Sequence, residues 1–490
     1  MIKLNHSLIL FLCTITIILF TGCESNEVQQ QVEIPEEIKE LVAENRSFAP
    51  VDDEKELIDE FNKLLYEYED FGEEPDDKFV EIDERVTFIT AEEAIADVEY
   101  FFGILKYGYA AYEYFGGDDK FLNAKENIID EINQKEEKLY NRELEMILEQ
   151  NLDFIQDGHF RIGMRQLYQE YIYYSSDEFS FLKDDNGFYT LIDNNKYYLT
   201  DIDDGDIEDY IKLSINEEGE LVYFLGGLYP STRLEQHIDI TLQSEDDKTT
   251  ETVSLQKVSA SENVGEEIYT YGEVDSIPII GIRAMHWQTN REEELLANFT
   301  EDAKKLKNED HFIIDVRGNT GGYVIYPIEW IENYTGEKVQ RSTVSSTLFT
   351  NTTTDAIKRG GVRDIEEIRL QDYYPGWAPT YYSNPQLRKN STPIFVITDK
   401  NTGSSGESFI DYLAKLDNVI FIGTNTAGVS LVGNNHNYIL PNSLTRVQFG
   451  QTLILNPDLS DSEGVGFKPD FWVAPDKAIE SISKFINNYL

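Results

Sequence analysis

The sequence has few cysteines, few basic residues and, beyond its N-terminus, no long apolar run. Its 2 cysteines, Cys13 and Cys23, lie close to the start of the chain. The rest of the chain therefore cannot form a disulfide, a thiolate nucleophile or a cysteine-based zinc site. Lys and Arg total 41 against 92 Asp and Glu, a net charge of −51. This charge disfavours the binding of nucleic acid or of anionic lipid surfaces.

Apolar and aromatic side chains are nevertheless abundant, at 41% and 12% of the 490 residues. These fractions are too high for a disordered acidic chain, and the length predicts two or three domains. The 6 histidines are scattered and form no His-Glu-x-x-His cluster. We therefore expect no metal site and no organic cofactor.

Residues 1–22 have the pattern of an export signal. Lys3 supplies a positive charge, and the uncharged apolar stretch from Leu8 to Phe20 is short for a membrane-spanning helix. Gly22-Cys23 resembles the bacterial lipoprotein box, in which the cysteine becomes the lipidated first residue, although Phe20 departs from the usual Leu. The predicted location is outside the cell, lipid-anchored through Cys23 to the outer face of the bacterial membrane. Residues 23–50 are Gln/Glu-rich and are predicted to be an acidic tether.

Three regions with different periodicity follow the tether. Residues 51–160 have apolar residues at helical spacing, including a predicted helix from Ala91 to Phe115, and indicate a helical N-terminal domain. Residues 161–265 contain short β-type runs between Asp, Asn and Gly turns and indicate a small β-rich module. Residues 266–490 alternate strands and helices, which is typical of an α/β domain built from β-α-β units.

Two turns of the α/β region follow apolar strands and precede helices. In Asp315-Val-Arg-Gly-Asn-Thr-Gly-Gly322, the adjacent Gly321 and Gly322 suit an oxyanion site, or else a tight turn without a ligand. In the second turn Ser404 stands where a helix begins. It is therefore either a nucleophile at the positive end of that helix or an N-cap completed by Glu407.

A third segment, Glu463-Gly-Val-Gly-Phe-Lys-Pro-Asp470, offers carboxylates that are either functional or simply solvated. In this order the three segments resemble the motifs of the C-terminal-processing (tail-specific) and tricorn-core serine peptidases. A fourth segment, Leu152 to Phe160, resembles the Leu-x-Asp-Gly-His motif of that family. The resemblance implies a crotonase/ClpP-like α/β catalytic domain, and it places the β-rich module where many members carry a PDZ-like domain.

The family has two catalytic subtypes, which differ in the base. In the Ser–Lys subtype a lysine follows a Gly-x-x-x-x-Gly turn, but here Val429 follows the turn from Gly423 to Gly428. Ser404, His159 and Glu463 match the positions of the tricorn-like Ser-His-Glu subtype instead. One departure is Gly158, where the tricorn-like pattern can place a serine that supports the site.

The resemblance implies a role for each matching residue. Ser404 would be the nucleophile, His159 its base and Glu463 the carboxylate that orients the imidazole, with an apparent imidazole pKa of about 6 to 7. The N–H groups of Ser405 and of Gly321 or Gly322 would hold the oxyanion. Without the resemblance, His159 is equally an ordinary strand residue in His-Phe-Arg-Ile.

The predicted function is that of a membrane-tethered extracytoplasmic serine endopeptidase that hydrolyses peptides or unstructured protein tails. One alternative is a catalytically inactive lipoprotein of the same fold that binds extended peptides. Another is a solute-binding lipoprotein of a transporter, which would leave the Ser404 and His159 motifs unexplained. In each case the expected partners are a peptide or solute and, through the lipid, the membrane, and not nucleic acid.

Overall fold

The computed structural model describes residues 34–45, 51–76, 86–135, 138–203, 205–262, 264–359, 375–383 and 386–490. Residues Val32–Leu490 form one compact unit. The predicted signal peptide and Cys23 lie outside the described residues. None of the helices within these ranges combines the length and the apolar character needed to cross a bilayer.

Part of the segment predicted as an acidic tether is helical. Helix α1 (Glu36–Asn45) follows Ile34, and its Ile38 and Val42 are buried. Since these three residues recur every four positions, they share one side and pack into the core that contains Phe485 near the C-terminus. The structure differs here from the predicted tether over residues 23–50. The helix was missed because the surrounding Glu and Gln residues obscured a short apolar stripe in the sequence.

The N-terminal region is helical, as predicted. Helix α3 begins with a capping box between Thr90 and Glu93, and its predicted apolar side is buried. It ends at Gly108, before the predicted Phe115, because the backbone of Tyr109 is extended, with φ and ψ of −96° and 110°. The elements are α2 (Glu54–Asn62), β1 (Phe88–Thr90), α3 (Ala91–Gly108), α4 (Gly117–Asn133), β2 (Lys138–Tyr140) and α5 (Asn141–Asn151).

Strands β3 (Asp157–Ile162) and β4 (Arg165–Leu167) follow, and then a β-rich module. All its strands pair antiparallel in the order β11-β10-β7-β6-β5-β9-β8, and β11 also pairs with β5, which closes five strands into a barrel. The module contains β5 (Tyr171–Asp184), β6 (Gly187–Ile192), β7 (Asn195–Ile202), α6 (Ile207–Tyr210), β8 (Ile211–Ile215), β9 (Leu221–Pro230), β10 (Gln236–Gln243) and β11 (Lys248–Lys257).

The remaining chain forms the α/β region. Its strands are β12 (Tyr269–Val274), β13 (Ile277–Ile282), β14 (Phe312–Asp315), β15 (Thr343–Phe349), β16 (Gly376–Trp377), β17 (Tyr381–Ser383), β18 (Ile394–Thr398), β19 (Val419–Gly423), β20 (Val432–Ile439), β21 (Arg446–Leu455) and β22 (Phe471–Trp472). Its helices are α7 (Asn290–Leu306), α8 (Ile325–Thr335), α9 (Asn351–Arg359), α10 (Ser405–Leu413) and α11 (Ala478–Tyr489).

The central sheet has the order β12-β13-β14-β18-β19-β22 and is parallel from β13 onward. Neighbouring residues of a strand point to opposite faces, so Ile314 packs with α7, α8 and α10 while Ile313 packs with α1 and α11. Burial of both faces explains why these strands are continuous apolar runs. The carboxyl ends of β14, β18 and β19 meet at one edge, where open α/β sheets place their binding sites.

A second sheet, with the order β16-β15-β21-β3-β4, covers this edge from the side of the N-terminal helices. Strand β3 pairs with β21 through Ile162 opposite Val447 and Arg161 opposite Gln448. Residues 161–167, which we assigned to the β-rich module, therefore belong to the sheet of the α/β region. This pairing brings the segment that contains His159 to the carboxyl edge of the central sheet.

Candidate active site

Ser404 occupies a strained turn between β18 and α10. Its φ and ψ are 55° and −121°, a conformation that side-chain-bearing residues rarely adopt and that clusters at functional sites. Its N–H donates to Glu407 Oε2 at 3.1 Å, so the carboxylate caps the turn. The Gly403 N–H donates to the Asn319 carbonyl at 2.8 Å. The turn is thereby held at the N-terminal, positive end of α10.

His159 lies next to Ser404. The distance from His159 Nε2 to Ser404 Oγ is 3.2 Å, although 245 residues separate them. The imidazole is partly buried, and that burial, assisted by the charge of Arg161, lowers the pKa of His159 to about 4. The ring is therefore neutral at pH 7 and able to accept the proton of Ser404. The expected value of about 6 to 7 took no account of this burial, which the sequence does not reveal.

Glu463 acts on the backbone beside His159. Glu463 Oε2 accepts the Gly158 N–H at 2.9 Å, and its Oε1 accepts the N–H groups of Ser430 and Leu431, both at 2.6 Å. No described side chain is hydrogen-bonded to His159 Nδ1, which is buried. The predicted contact between this carboxylate and the imidazole is therefore absent from the described structure, and Glu463 fixes the peptide that carries the ring.

Gly158 has a physical reason to lack a side chain. A Cβ at this position would lie 2.6 Å from Val429 Cγ1 and 3.3 Å from Glu463 Oε2. There is consequently no room for the serine that the tricorn-like pattern can place here. Val429, which replaces the lysine of the Ser–Lys subtype, fills that space.

Asp157, the Asp of the Leu-x-Asp-Gly-His motif, supports the other side of His159, a role that was not predicted from the sequence. Its Oδ1 accepts the His159 N–H at 2.8 Å, and its Oδ2 accepts the Tyr109 hydroxyl at 2.9 Å. Burial raises the pKa of Asp157 to about 6, while burial and the charge of Asp157 raise the pKa of Glu463. Two buried carboxylates thus hold the backbone on both sides of the imidazole.

The glycine turn after β14 packs directly on Ser404. A Cβ at Gly321 would lie 2.6 Å from Ser404 Cβ, and the φ of Gly321 is 90°, so both space and conformation require glycine. The Gly321 N–H donates to Asn319 Oδ1 at 2.9 Å. Across the described residues, the N–H groups of Gly322 and Ser405 have no hydrogen-bond acceptor. Of the two predicted glycines, Gly322 is therefore the one whose N–H remains available to an oxyanion.

Two buried charged residues tie the loops of the site together. Glu407 Oε1 accepts the Gly428 N–H at 2.8 Å, and its Oε2 accepts the Val429 N–H at 2.9 Å as well as that of Ser404. Lys400 Nζ donates to the carbonyls of Thr426, Ala427 and Gly464 at 2.9–3.1 Å. Burial lowers the pKa of Lys400 to about 8.

No sequence pattern indicated the role of Lys400, because a lone lysine in a loop is normally solvated. Its hydrogen bonds go to backbone carbonyls, so it organises the loops and is not the base of a Ser–Lys pair. The Asp-x-Arg motif is also structural: Arg317 forms a buried ion pair with Asp315 and donates to the Pro475 carbonyl. Over the described ranges, no three His, Cys, Asp or Glu side chains are grouped to hold a metal ion.

A model of one protein family matches part of the chain. Residues 276–473 match the model of peptidase family S41, and this stretch contains Ser404 and Glu463. No curated protein matches the chain. Among solved structures, mature CPAF is 13% identical, with 81% of this chain and 98% of that chain covered and a TM-score of 0.42.

Two further structures have similarly low identities and TM-scores. A putative peptidase from Parabacteroides merdae is 14% identical over 81% of this chain and 97% of that chain, with a TM-score of 0.40. The tricorn protease is 16% identical over 84% of this chain and 38% of that chain, with a TM-score of 0.35. Over residues 276–473 the α/β region therefore matches peptidase family S41, and the protein is a serine-type peptidase.

Proposed function

We propose that the protein is an extracytoplasmic serine endopeptidase in which Ser404 is the nucleophile and His159 its general base. The observation that carries this proposal is the 3.2 Å contact between His159 Nε2 and Ser404 Oγ. A neutral imidazole at hydrogen-bond distance from a serine in a strained turn is the arrangement that activates a hydroxyl. Unstructured peptides or protein tails are the proposed substrates.

The proposed reaction proceeds through an acyl-enzyme. Ser404 Oγ attacks the peptide carbonyl while its proton passes to His159 Nε2, and the N–H groups of Ser405 and Gly322 hold the resulting oxyanion. The imidazolium then gives its proton to the leaving amine, and a new N-terminus departs. Water, deprotonated by the same imidazole, releases the acyl group and restores Ser404.

Glu463 has a positioning role in this proposal. It holds the Gly158 N–H, and Asp157 holds the His159 N–H, so the main chain that carries the ring cannot shift away from Ser404 without breaking these hydrogen bonds. No carboxylate orients the Nδ1 side of the ring directly.

The nucleophile is tested with a fluorophosphonate probe, which labels activated serines. The wild type should be labelled and should cleave an unstructured protein such as casein, whereas Ser404→Ala should do neither. Ser405→Ala is the matched control, since it removes the neighbouring hydroxyl and keeps the backbone N–H. Equal labelling of Ser404→Ala and the wild type would refute the assignment. Peptide binding without any hydrolysis would favour the catalytically inactive binding protein instead.

We also propose that Cys23 carries a lipid that anchors the protein to the outer face of the membrane. Support comes only from the sequence pattern of the signal and Gly22-Cys23. Cys23→Ala should release the protein from the membrane fraction or leave it unprocessed, and Cys13→Ala, the only other cysteine, should change neither. Normal processing and retention of Cys23→Ala would exclude the anchor.

A further inference from the structure

Four exposed large apolar residues lie together on two short segments beside the glycine turn. Trp287 is 41% exposed, and the consecutive Tyr323, Val324 and Ile325 are 58%, 45% and 48% exposed. Single exposed apolar side chains are common on protein surfaces, but a contiguous group marks a place where another molecule binds. We call these four residues the Trp287–Tyr323 surface.

Backbone contacts connect this surface to Ser404. The Met285 N–H donates to the Gly321 carbonyl at 2.8 Å, and the Tyr323 N–H donates to the Met285 carbonyl at 2.7 Å. Gly321 in turn packs on Ser404. The surface therefore begins one residue beyond Gly322, whose N–H is the available oxyanion donor, and two residues beyond Met285.

The edge of the surface is acidic. Trp287 and the exposed Glu293 and Glu329 all lie near the Tyr326 phenol: burial raises the pKa of Tyr326, and both carboxylates raise it further. The nearest basic residue along α7, Arg291, is paired with Glu267. An apolar centre with two carboxylates at its edge, on a chain of net charge −51, is complementary to an apolar side chain flanked by a cationic one.

We propose that the Trp287–Tyr323 surface is a specificity subsite, which binds a large apolar side chain of the substrate close to the scissile bond and a lysine or arginine one or two residues further along. The proposal rests on the proposed peptidase function and names its substrate class. Aromatic residues are suited to this role, because they offer a large rigid contact area and lose little side-chain entropy when they bind. The carboxylates of Glu293 and Glu329 select the charge.

The test compares kcat/KM for four groups of peptides. Each group has leucine or alanine at one position near the scissile bond, which is varied in turn, combined with lysine or glutamate one or two residues further along. We expect the wild type to prefer leucine over alanine at one position by tenfold or more. Trp287→Ala and Tyr323→Ser should reduce that ratio at least fivefold. The double variant Glu293→Gln/Glu329→Gln should reduce the preference for lysine and its dependence on salt.

Leu234→Ala is the matched control, because Leu234 is 93% exposed and lies in the β-rich module. It should leave every ratio unchanged. The rate of fluorophosphonate labelling at Ser404 shows whether each variant retains a folded site. Retained labelling with unchanged ratios in Trp287→Ala and Tyr323→Ser would overturn this inference alone. A wild type that neither labels nor hydrolyses any peptide would overturn the proposed function, and the inference with it.

Discussion

At the scale of single residues, the site departs from the usual serine–histidine–carboxylate geometry. Glu463 and Asp157 hold backbone N–H groups on either side of the imidazole, and neither is hydrogen-bonded to His159 Nδ1. Both carboxyl groups therefore hold the main chain that carries the ring. Two predictions follow from the environments of His159 and Glu463.

The first concerns the pH dependence of hydrolysis. Because burial lowers the pKa of His159 to about 4, the base stays neutral as the pH falls from 8 towards 5, and activity should fall only near pH 4, when the ring is protonated. The logarithm of kcat/KM against pH, measured in buffers of constant ionic strength, locates this limb. His159→Ala should lose on the order of a thousandfold in turnover. A limb at pH 6 to 7 would show that the ring is solvated in solution.

The second prediction concerns Glu463→Gln. The amide has one acceptor oxygen for three N–H donors, and its NH₂ must face at least one of them, so we expect a loss of about 1–3 kcal/mol of unfolding free energy. Activity should fall less than in His159→Ala, since the base remains. Urea unfolding and initial rates measure the two effects, with Glu480→Gln on the exposed side of α11 as the control.

The pH dependence of stability gives an independent check on Glu463. Its pKa is raised in the folded state, so the unfolded chain releases this proton first, and the unfolding free energy should decline as pH rises above the ordinary glutamate pKa. Below that pKa Glu463 is protonated in both the folded and the unfolded state, so its contribution to the unfolding free energy does not change with pH. Glu463→Gln should show a shallower decline. An identical slope in the variant would contradict the raised pKa.

At the scale of elements, two strands from distant parts of the chain create the catalytic contact. Strand β3 reaches Ser404 because it pairs with β21, and Gln448 Nε2 donates to the His159 carbonyl at 3.1 Å. Helix α1 also joins distant parts of the chain: it covers one face of the central sheet, where Ile38 is buried among residues of β18 and α11.

The packing of α1 leads to the third prediction. Ile38→Ala removes buried methyl and methylene groups and should lower the unfolding free energy by about 2–5 kcal/mol. Glu40→Ala, on the exposed side of the same helix, should change it little, because alanine is a good helix former. Chemical unfolding of the protein expressed from residue 24 onward measures both. Equal stability of Ile38→Ala and the wild type would mean that α1 is detached and that the predicted tether includes residues 34–45.

At the scale of the whole molecule, charge is the dominant feature. A net charge of −51 implies that acidic side chains repel one another across the folded surface, and this repulsion weakens as salt shortens the screening length. The fourth prediction is that Tm rises by a few degrees between about 10 mM and about 150 mM NaCl. Sucrose at equal osmolality is the control for non-ionic effects. A Tm that falls with salt would show that attractive ion pairs outweigh the repulsion.

Much of the fold is encoded in short-range patterns. Continuous apolar runs such as Phe312–Val316 predicted the buried strands, and helical spacing predicted the buried side of α3, because each depends on neighbouring residues along the chain. The order of the four motifs likewise identified Ser404 and His159 as candidates. The helical stripe of α1 was missed, since three apolar positions in an acidic stretch are a weak signal.

The sequence by itself determined which residues could do the chemistry: a serine where a helix starts, a histidine in the matching motif, and Val429 in place of the lysine of the alternative subtype. Tertiary structure alone decided how they meet. The 3.2 Å contact depends on the pairing of β3 with β21. Glu463 binds backbone because Gly158 leaves space for it, and Gly321 is lost as an oxyanion donor because its N–H is bound by Asn319. These contacts join residues far apart in the chain, and their geometry follows from strand register and side-chain direction, which no local pattern specifies.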